Sequence, residues 1–267
     1  MMETETPAND QEVSAVDLAL CRATLYSALA LGFRPPTEET IARLTSEKNV
    51  EALAEAAAIL DPNGEENLAS AARGPGAVKP LSAGELSESF QRFFGHTAQG
   101  AAPPYETEYG TEGLFQQPQE MGDLMGFYQA FGLKLKTEVH ERADHVSCEC
   151  EFLCFLALKE AYALEHGDAP MLEETRKATR LFLRDHLGHF VPAFTKRMAR
   201  EDRGGFYGAL ANLCYRLVTQ DCALFGVPLG PQSLSLRPAT DDRVPMACGS
   251  GAECVAMPGA CSPEDLE

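Results

Sequence analysis

Apolar residues recur at helical spacing along most of this chain, and no stretch of useful length alternates between apolar and polar residues as a β-strand does. The first segment is typical of the rest. Ser14 and Asp17 form a capping box, and an apolar stripe runs from Leu18 to Leu29 until Gly32 ends the pattern. The periodicity predicts an all-α protein.

Capping residues and glycine or proline breaks place the remaining helices. Thr37 and Asn49 are expected to cap two short helices, a weak helix follows over 65–72, and Ser82 with Glu85 caps another. Residues 73–80, RGPGAVKP, are expected to form a flexible connection. The later helices are predicted at about 118–131, from the segment around residue 145 to about 165, and at 171–187, 191–199 and 207–226. The domain prediction is a flexible N-terminus over 1–13, one helical domain over 14–230 and a disordered, cysteine-containing tail over 231–267.

Charge and length exclude several classes of function. The net charge of -18 argues against general binding to nucleic acids or anionic membranes, because both need basic surface. No continuous apolar run is long enough to predict a transmembrane span, and residues 1–13 have no pattern of an export signal. We therefore expect a cytoplasmic protein without nucleic-acid partners or stable membrane association.

Nine cysteines in a chain expected to be cytoplasmic predict thiols or metal ligands more than disulfides. Six of them lie in apolar helical patterns, where free cysteine packs as a small apolar side chain. The other three, Cys248, Cys254 and Cys261, lie in the glycine- and proline-rich tail. They could hold zinc or contribute to an iron–sulfur site, but a fourth ligand is missing and an unstructured tail is the default interpretation.

Residues 141–153, ERADHVSCECEFL, could form a metal site, an acid–base pair or the start of a helix that recognises a partner. The cysteines of this segment lack zinc-like spacing, and the chain has no phosphate-binding loop, nucleophile elbow or H-E-x-x-H motif. His186 and His189 also lack companion ligands. The favoured interpretation is that Asp144 caps a long helix whose first turn contains a neutral His145.

A second unusual segment is the loop PPYETEYG, residues 103–110. Its tyrosines could simply close the core. Alternatively, Tyr105 and Tyr109 could offer a broad contact surface to a peptide, while Glu106 and Glu108 attract guanidinium groups. The sequence alone leaves both interpretations open.

Three segments in order share one resemblance. They are PPYETEY at 103–109, ERADH at 141–145 before an apolar helix, and FLRDHLGHFVPAF at 182–194. Together they resemble the TorD/DmsD/NarJ family of molybdoenzyme maturation chaperones, with Ala143 and Phe190 where that family commonly has proline and tryptophan. The loop and the segment QQPQEMGDLMGFYQAFGL at 116–133 are further similar to the branch serving dimethylsulfide and ethylbenzene dehydrogenases and selenate and chlorate reductases.

The resemblance implies a single-domain helical bundle of the TorD-like type that is not an enzyme and carries no cofactor of its own. Such a chaperone would bind the twin-arginine leader or the apo catalytic subunit of a molybdoenzyme, assist insertion of the molybdenum cofactor and prevent premature export. It would be a monomer or a homodimer. The residues that the resemblance assigns to leader binding are Asp144, His145, Tyr105, Glu106, Tyr109 and Glu141.

A basic row on a later helix suggests a second contact. Arg176, Arg180 and Arg184 are spaced at i, i+4, an arrangement that destabilises an isolated helix unless an anion compensates it. With His186, the row could bind the pyrophosphate of a dinucleotide molybdenum cofactor or an acidic client surface, or it could be a solvated helix face. Competing classes for the whole chain are a generic helical adaptor and a small metal-binding protein that uses the tail cysteines.

Overall fold

The computed structural model describes residues 13–78, 82–95, 100–110, 116–135 and 141–237. All regular structure in these residues is helical, apart from two isolated β-bridges, so the predicted all-α class is confirmed. The tail cysteines Cys248, Cys254 and Cys261, and residues 1–12 of the predicted flexible N-terminus, lie outside the described residues.

The described segments contain ten α-helices and one 3-10 turn. They are α1 (Ala15–Gly32), α2 (Glu38–Thr45), α3 (Glu47–Leu60), α4 (Leu68–Ala77), α5 (Ala83–Phe94), the 3-10 turn (Glu106–Glu108), α6 (Gln116–Ala130), α7 (Val146–His166), α8 (Ala169–Asp185), α9 (Leu187–Glu201) and α10 (Phe206–Leu224).

The core forms where α1 lies along α7 and where α10 packs against α9 and α4. Aromatic side chains fill much of it. Phe33 and Phe194 meet edge to face at 5.6 Å, and Phe94 and Tyr207 do so at 5.1 Å. Edge-to-face contacts of this kind add about 0.5–1.5 kcal/mol each to the free energy gained from burial alone. The packing holds α7, α8 and α9 together; the third motif spans the end of α8 and the start of α9, and the second motif directly precedes α7.

Local capping signals were mostly informative. The capping boxes predicted at Ser14 and Ser82 are both present, with each serine side chain accepting from the backbone amide three residues later. The Asn49 cap was wrong, because Ser46 precedes α3 and Asn49 lies inside its first turn. A polar residue close to a helix start can be mistaken for the cap when a better-placed serine lies just before it.

Two predicted boundaries need correction. Residues 73–77, expected in a flexible connection, complete α4 with Pro75 inside the helix. The packed body also continues past residue 230, because residues 231–237 lie on it and Arg237 is buried. Pro192 inside α9 contributes to this packing. Its missing N–H leaves the Gly188 carbonyl without a helical partner, and that carbonyl accepts from Gly230 N–H at 3.0 Å.

Helix α1 is long and apolar enough to cross a membrane by length and composition. Half of the tested window is nevertheless buried in the protein. Its Arg22 side chain is also buried, 2.9 Å from Glu160 and 3.4 Å from Asp221. In this fold α1 is therefore a core helix.

Candidate functional site

The loop at 103–110 and the start of α7 are joined by backbone hydrogen bonds. Tyr105 and His145 form an isolated antiparallel bridge. On either side of it, Glu106 N–H donates to the Asp144 carbonyl at 2.9 Å, and Val146 N–H donates to the Pro104 carbonyl at 2.8 Å. Two motifs that lie far apart in sequence thus form one structural unit.

Asp144 is fully buried in that unit and is bound on two sides. Its carboxylate accepts from the Thr107 hydroxyl at 2.7 Å, and the Arg142 guanidinium donates to both of its oxygens at 3.0 and 2.7 Å. The prediction that Asp144 caps α7 was wrong, because the carboxylate turns away from the helix end to hold the loop. The contact with Arg142 satisfies a charge that would otherwise be costly to bury.

His145, rather than Asp144, is the N-cap of α7. Its Nδ1 accepts from Ser147 N–H at 3.1 Å and lies 2.7 Å from the Ser147 hydroxyl. Burial, assisted by the charges of Arg142 and Arg34, lowers the pKa of His145 to about 3. The expectation of a neutral histidine agrees with this environment, although the residue stands one position earlier than the predicted first turn.

The accessible edge of the site is formed by Tyr105, Glu141 and Arg142. The Arg142 guanidinium lies over the Tyr105 ring at 4.1 Å from its centroid, and the Tyr105 hydroxyl is 3.5 Å from a Glu141 oxygen. Tyr105 and Glu141 are partly exposed, and 42% of the Arg142 side chain is exposed. A partner can reach these three residues without opening the core.

Carboxylates are concentrated behind this edge. Glu106 lies 3.2 Å from His186 Nδ1, yet burial outweighs that contact and raises the pKa of the Glu106 carboxyl. Glu149 is fully buried, and neither of its side-chain oxygens is hydrogen-bonded to any residue that the structure describes. Burial, and then the charges of Glu106 and Asp144, raise its pKa well above the usual range. The interior beside the loop therefore favours the addition of positive charge or protons.

A cavity of about 370 Å³ opens beside the 3-10 turn. The starts of α6 and α9, the end of α8 and the segment after α10 surround it. Its walls combine charged groups with the apolar faces of an aromatic ring and a leucine. The lining residues are Glu106, Tyr109, Gly110, Glu120, Arg184, Asp185, His189, Phe190, Leu234 and Arg237.

Comparison with known proteins assigns the sequence that carries this site to a protein family. The family described as "Nitrate reductase delta subunit" matches residues 47–196, which include the loop, the start of α7 and the third motif. The chain belongs to this family, which includes the NarJ and TorD proteins. The resemblance inferred from the three motifs is thereby confirmed.

Relatives in the family are named as chaperones. A "Chaperone protein TorD" of Vibrio cholerae is 32% identical over 139 residues, 51% of this chain and 60% of that protein. A "Perchlorate reductase assembly chaperone protein" of Dechloromonas aromatica is 29% identical over 216 residues, 79% of this chain and 92% of that protein. A "Selenate reductase assembly chaperone protein" of Thauera selenatis is 35% identical over 96 residues, 36% and 45% of the two chains. These names agree with the expectation of a non-enzymatic protein.

Most of the predicted leader-binding positions converge in this family member. Tyr105, Glu141, Asp144 and His145 form the unit at the start of α7, and Glu106 lies between that unit and the cavity. Tyr109 is buried at the cavity wall and donates its hydroxyl to the Pro103 carbonyl at 2.8 Å. Asp144 and His145 have essentially no exposed surface, so their present contacts are with the protein itself.

The side chains of the predicted basic row have different surroundings. Arg176 donates to the buried Glu160 at 2.7 Å, and Arg184 makes a bidentate pair with Asp185 at the cavity rim. Arg180 is exposed and makes no ion pair within the described ranges. The fourth residue of that prediction, His186, is buried against Glu106.

Sequence reasoning missed several residues that shape the site. Arg142 belongs to the ERADH motif, but its role depends on the folded position of Thr107. Glu120 lies in the quoted segment 116–133, and Arg237 lies in the predicted tail. No group of three or more histidine, cysteine, aspartate or glutamate side chains is positioned to hold a metal ion within the part of the chain that the structure describes.

Proposed function

We propose that this protein is a cytoplasmic chaperone that binds the twin-arginine leader of a molybdoenzyme's catalytic subunit. It holds the apoprotein while the molybdenum cofactor is inserted and delays export until then. The observation that carries the proposal is the joining of the 103–110 loop to the start of α7. This places Tyr105, Glu106, Glu108 and Glu141 around one turn beside the cavity.

The chemistry of the site matches such a leader. A leader with two arginines and an apolar stretch needs carboxylates for the guanidinium groups and an apolar wall for the following side chains. The site supplies acids around the 3-10 turn, while Phe190 and Leu234 contribute apolar surface to the cavity. The net charge of -18 attracts a basic peptide from a distance and accelerates the encounter.

The proposal assigns different tasks to the predicted residues. Tyr105 and Glu141 contact the leader directly, because both are partly exposed at the edge of the site. Asp144 and His145 act from beneath, since the Thr107 hydroxyl donates to Asp144 and holds the loop against α7, while His145 caps α7 by accepting from Ser147 N–H. Glu106 and Tyr109 form the wall between this unit and the cavity. A leader bound at such a surface can be released without unfolding the chaperone.

The assembly chaperones for perchlorate and selenate reductases suggest the class of client. This chain is similar to both. We propose that its client is a molybdenum-containing oxidoreductase of the same broad kind. The client's apo catalytic subunit would be bound together with its leader, which keeps the two events, cofactor insertion and export, in order.

Calorimetry with a synthetic leader peptide tests the proposal. The probe is a peptide with two adjacent arginines before an apolar stretch, and the reference peptide has two lysines instead. Glu141→Gln keeps side-chain volume and removes a charge at the exposed edge. It is expected to weaken binding of the diarginine peptide roughly tenfold, as loss of one charge-assisted hydrogen bond does.

Asp123→Asn on α6 is the matched control, because Asp123 is an exposed carboxylate that does not line the cavity. It should leave the affinity unchanged. Equal affinity of the wild-type protein for the diarginine and dilysine peptides, with no effect of Glu141→Gln, would contradict the proposal. Joint replacement of Asp144 and His145 by alanine is a weaker test, because Arg142 and Ser147 would lose buried partners and the fold itself would change.

A contact between the basic row and an anionic cofactor or client rests on Arg180 and the cavity rim. Arg180 is exposed, while Arg184 and His189 line the cavity. We propose that an acidic patch of the client meets this face. Arg180→Glu should then reduce client activation without reducing leader affinity.

A further inference from the structure

The segment after α10 lies on the candidate site as an extended peptide would. Leu236 forms an isolated antiparallel bridge with Tyr109. Gly110 N–H donates to the Ser235 carbonyl at 2.9 Å, and Arg237 N–H donates to the Glu108 carbonyl at 2.8 Å. We call residues 231–237 the strap. Its main chain extends the loop edge in the manner of a peptide that adds a strand to its receptor.

The strap places an arginine in a pocket shaped for a guanidinium group. Arg237 donates to both Glu120 oxygens at 2.8 Å each and to the Thr107 carbonyl at 2.7 Å. Only 6% of Arg237 is exposed. Gly110 has φ +128°, and a Cβ there would lie 2.9 Å from Arg237 Nη2, so glycine leaves space for the guanidinium. Bidentate carboxylate and carbonyl acceptors are a specific arrangement for arginine.

A second arginine binds the other side of the same turn. Arg142 donates to the Thr107 hydroxyl at 2.9 Å, while Arg237 donates to the Thr107 carbonyl. The two arginines differ in how deeply their carboxylate partners are buried. Arg142 neutralises Asp144, which is fully buried, whereas Arg237 pairs with Glu120, whose side chain is 26% exposed. Displacing Arg142 would leave the fully buried Asp144 carboxylate without its cation, whereas Glu120 is partly exposed and can exchange one guanidinium group for another.

We propose that the strap is a built-in substitute for a client peptide, and that an arginine of an extended client segment displaces Arg237 from the Glu120–Thr107 pocket. This inference rests on the proposed function and adds the position of one leader arginine. The client main chain takes the place of Ser235 and Arg237 along the loop. Its apolar residues enter the cavity where Leu234 and Phe190 lie.

The strap belongs to the same chain as the pocket, and this affects how tightly a free peptide binds. A segment of the same chain competes at an effective concentration that can reach the millimolar range, so it lowers the apparent affinity for a free peptide. It also keeps the carboxylate of Glu120 paired when no client is bound, which avoids an unpaired charge at a half-buried position. Weak, competitive binding suits a chaperone that must release its client.

A small probe tests the pocket without a leader. In Arg237→Ala, N-acetyl-arginine amide should raise the midpoint of thermal unfolding in a saturable manner, whereas N-acetyl-lysine amide should not. The wild-type protein, with its pocket occupied, should respond to neither at the same concentrations. Absence of an arginine-specific response in folded Arg237→Ala would overturn the proposal.

Peptide affinity gives the second readout. Arg237→Gln should bind the diarginine peptide on the order of tenfold more tightly than the wild-type protein does, because the competitor is weakened. Arg203→Gln, which removes an exposed arginine elsewhere, is the control and should change nothing. Adding Glu120→Gln to Arg237→Gln should abolish the gain. If the wild-type protein binds the peptide but Arg237→Gln binds it equally or less well, the substitute role is wrong while leader binding stands.

The two proposals can fail separately. Arginine-specific stabilisation of Arg237→Ala with no binding of the diarginine peptide to any variant would support the pocket and contradict the leader. If the Arg237 variants do not fold, hydrogen exchange of the wild-type protein decides the matter. Bound peptide should then increase exchange at the Arg237 amide and leave the Gly110 amide protected, because a client carbonyl replaces that of Ser235. Unchanged protection at Arg237 with peptide bound would overturn the proposal.

Discussion

Two buried clusters of charged residues in this protein differ in the balance between acids and cations. At the contact of α1, α7 and α10, Arg22 lies between Glu160 and Asp221, and the Tyr26 hydroxyl donates to Asp221 at 3.0 Å. Arg176 adds a second cation to Glu160 from the surface. Two carboxylates thus meet two guanidinium groups, and every acid in the cluster has a partner.

The cluster beneath the loop contains more acids than its cations neutralise. Asp144 is paired with Arg142, and Glu106 with His186, but among the described residues Glu149 has no hydrogen-bond partner for either oxygen. All three carboxylates are buried. A balanced cluster needs nothing further and joins helices, whereas an unbalanced one favours an additional proton or cation. The difference separates a fully paired network from an interior with an excess of acids.

The largest change in the free energy of unfolding is expected from removing Arg22 from the balanced cluster. Arg22→Met would leave Glu160 and Asp221 buried with one cation fewer, and loss of a buried partner typically costs about 3–5 kcal/mol. The free energy of unfolding in urea measures it. Arg43→Met, which removes an exposed pair with Glu39, should cost less than about 1 kcal/mol. Similar costs for the two variants would show that the buried network does not support the fold.

Replacing the unpaired acid Glu149 should raise the free energy of unfolding instead of lowering it. The pKa of Glu149 is raised in the folded state, so its favourable contribution is present below the unfolded value near 4.5 and is lost as pH rises. Glu149→Gln removes that loss. Relative to the wild-type protein, its stability should improve as the pH rises above about 4.5, by no more than about 1.4 kcal/mol per pH unit.

Urea unfolding at a series of pH values provides the measurement. Glu55→Gln on α3 is the charge-matched control, since Glu55 is exposed. A Glu149→Gln variant that is less stable than the wild-type protein at pH 7 would mean that the carboxylate has a stabilising partner after all, and the comparison between the clusters would fail.

His145 predicts an acid-side effect of about 2 kcal/mol near pH 5. Its folded pKa of about 3 lies below the ordinary value of 6.5, so the stability it contributes is present above pH 6.5 and is lost as pH falls toward 3. His145→Asn keeps a side-chain oxygen for the N-cap and removes the titration. The variant should lose less stability than the wild-type protein between pH 6.5 and pH 5, and identical slopes would contradict the assignment.

The smallest changes in the free energy of unfolding are expected from substitutions in the basic row. Arg180→Gln should change the free energy of unfolding by no more than about 0.5 kcal/mol, because the side chain is exposed. Arg176→Gln should cost about 1 kcal/mol through its hydrogen bond to Glu160. Chemical denaturation of both variants measures these costs. A larger cost for Arg176→Gln than for Arg180→Gln would show that Arg176 belongs to the balanced cluster and Arg180 does not.

Several parts of this protein could be predicted from sequence because their causes are local. The capping boxes at Ser14 and Ser82 depend on residues three positions apart, and both formed. The Asp144 prediction failed because two neighbouring polar residues could each cap α7, and only the contact with Thr107, 37 residues away, assigns Asp144 to the loop. The burial of Arg237 depends on a partner 130 residues away, which no local pattern indicates.

By itself, the sequence determined the helical class, the net acidity and the motifs that indicate the chaperone family, because periodicity, charge and motif order are properties of the chain. Tertiary structure decided that His145 caps α7, that Glu149 is buried without a hydrogen bond to any described residue, and that Arg142 and Arg237 flank Thr107. The physical reason is the sequence separation over which each interaction acts. Helix periodicity and caps act within a few residues, whereas the pairing and burial of a charge depend on which distant segment packs beside it.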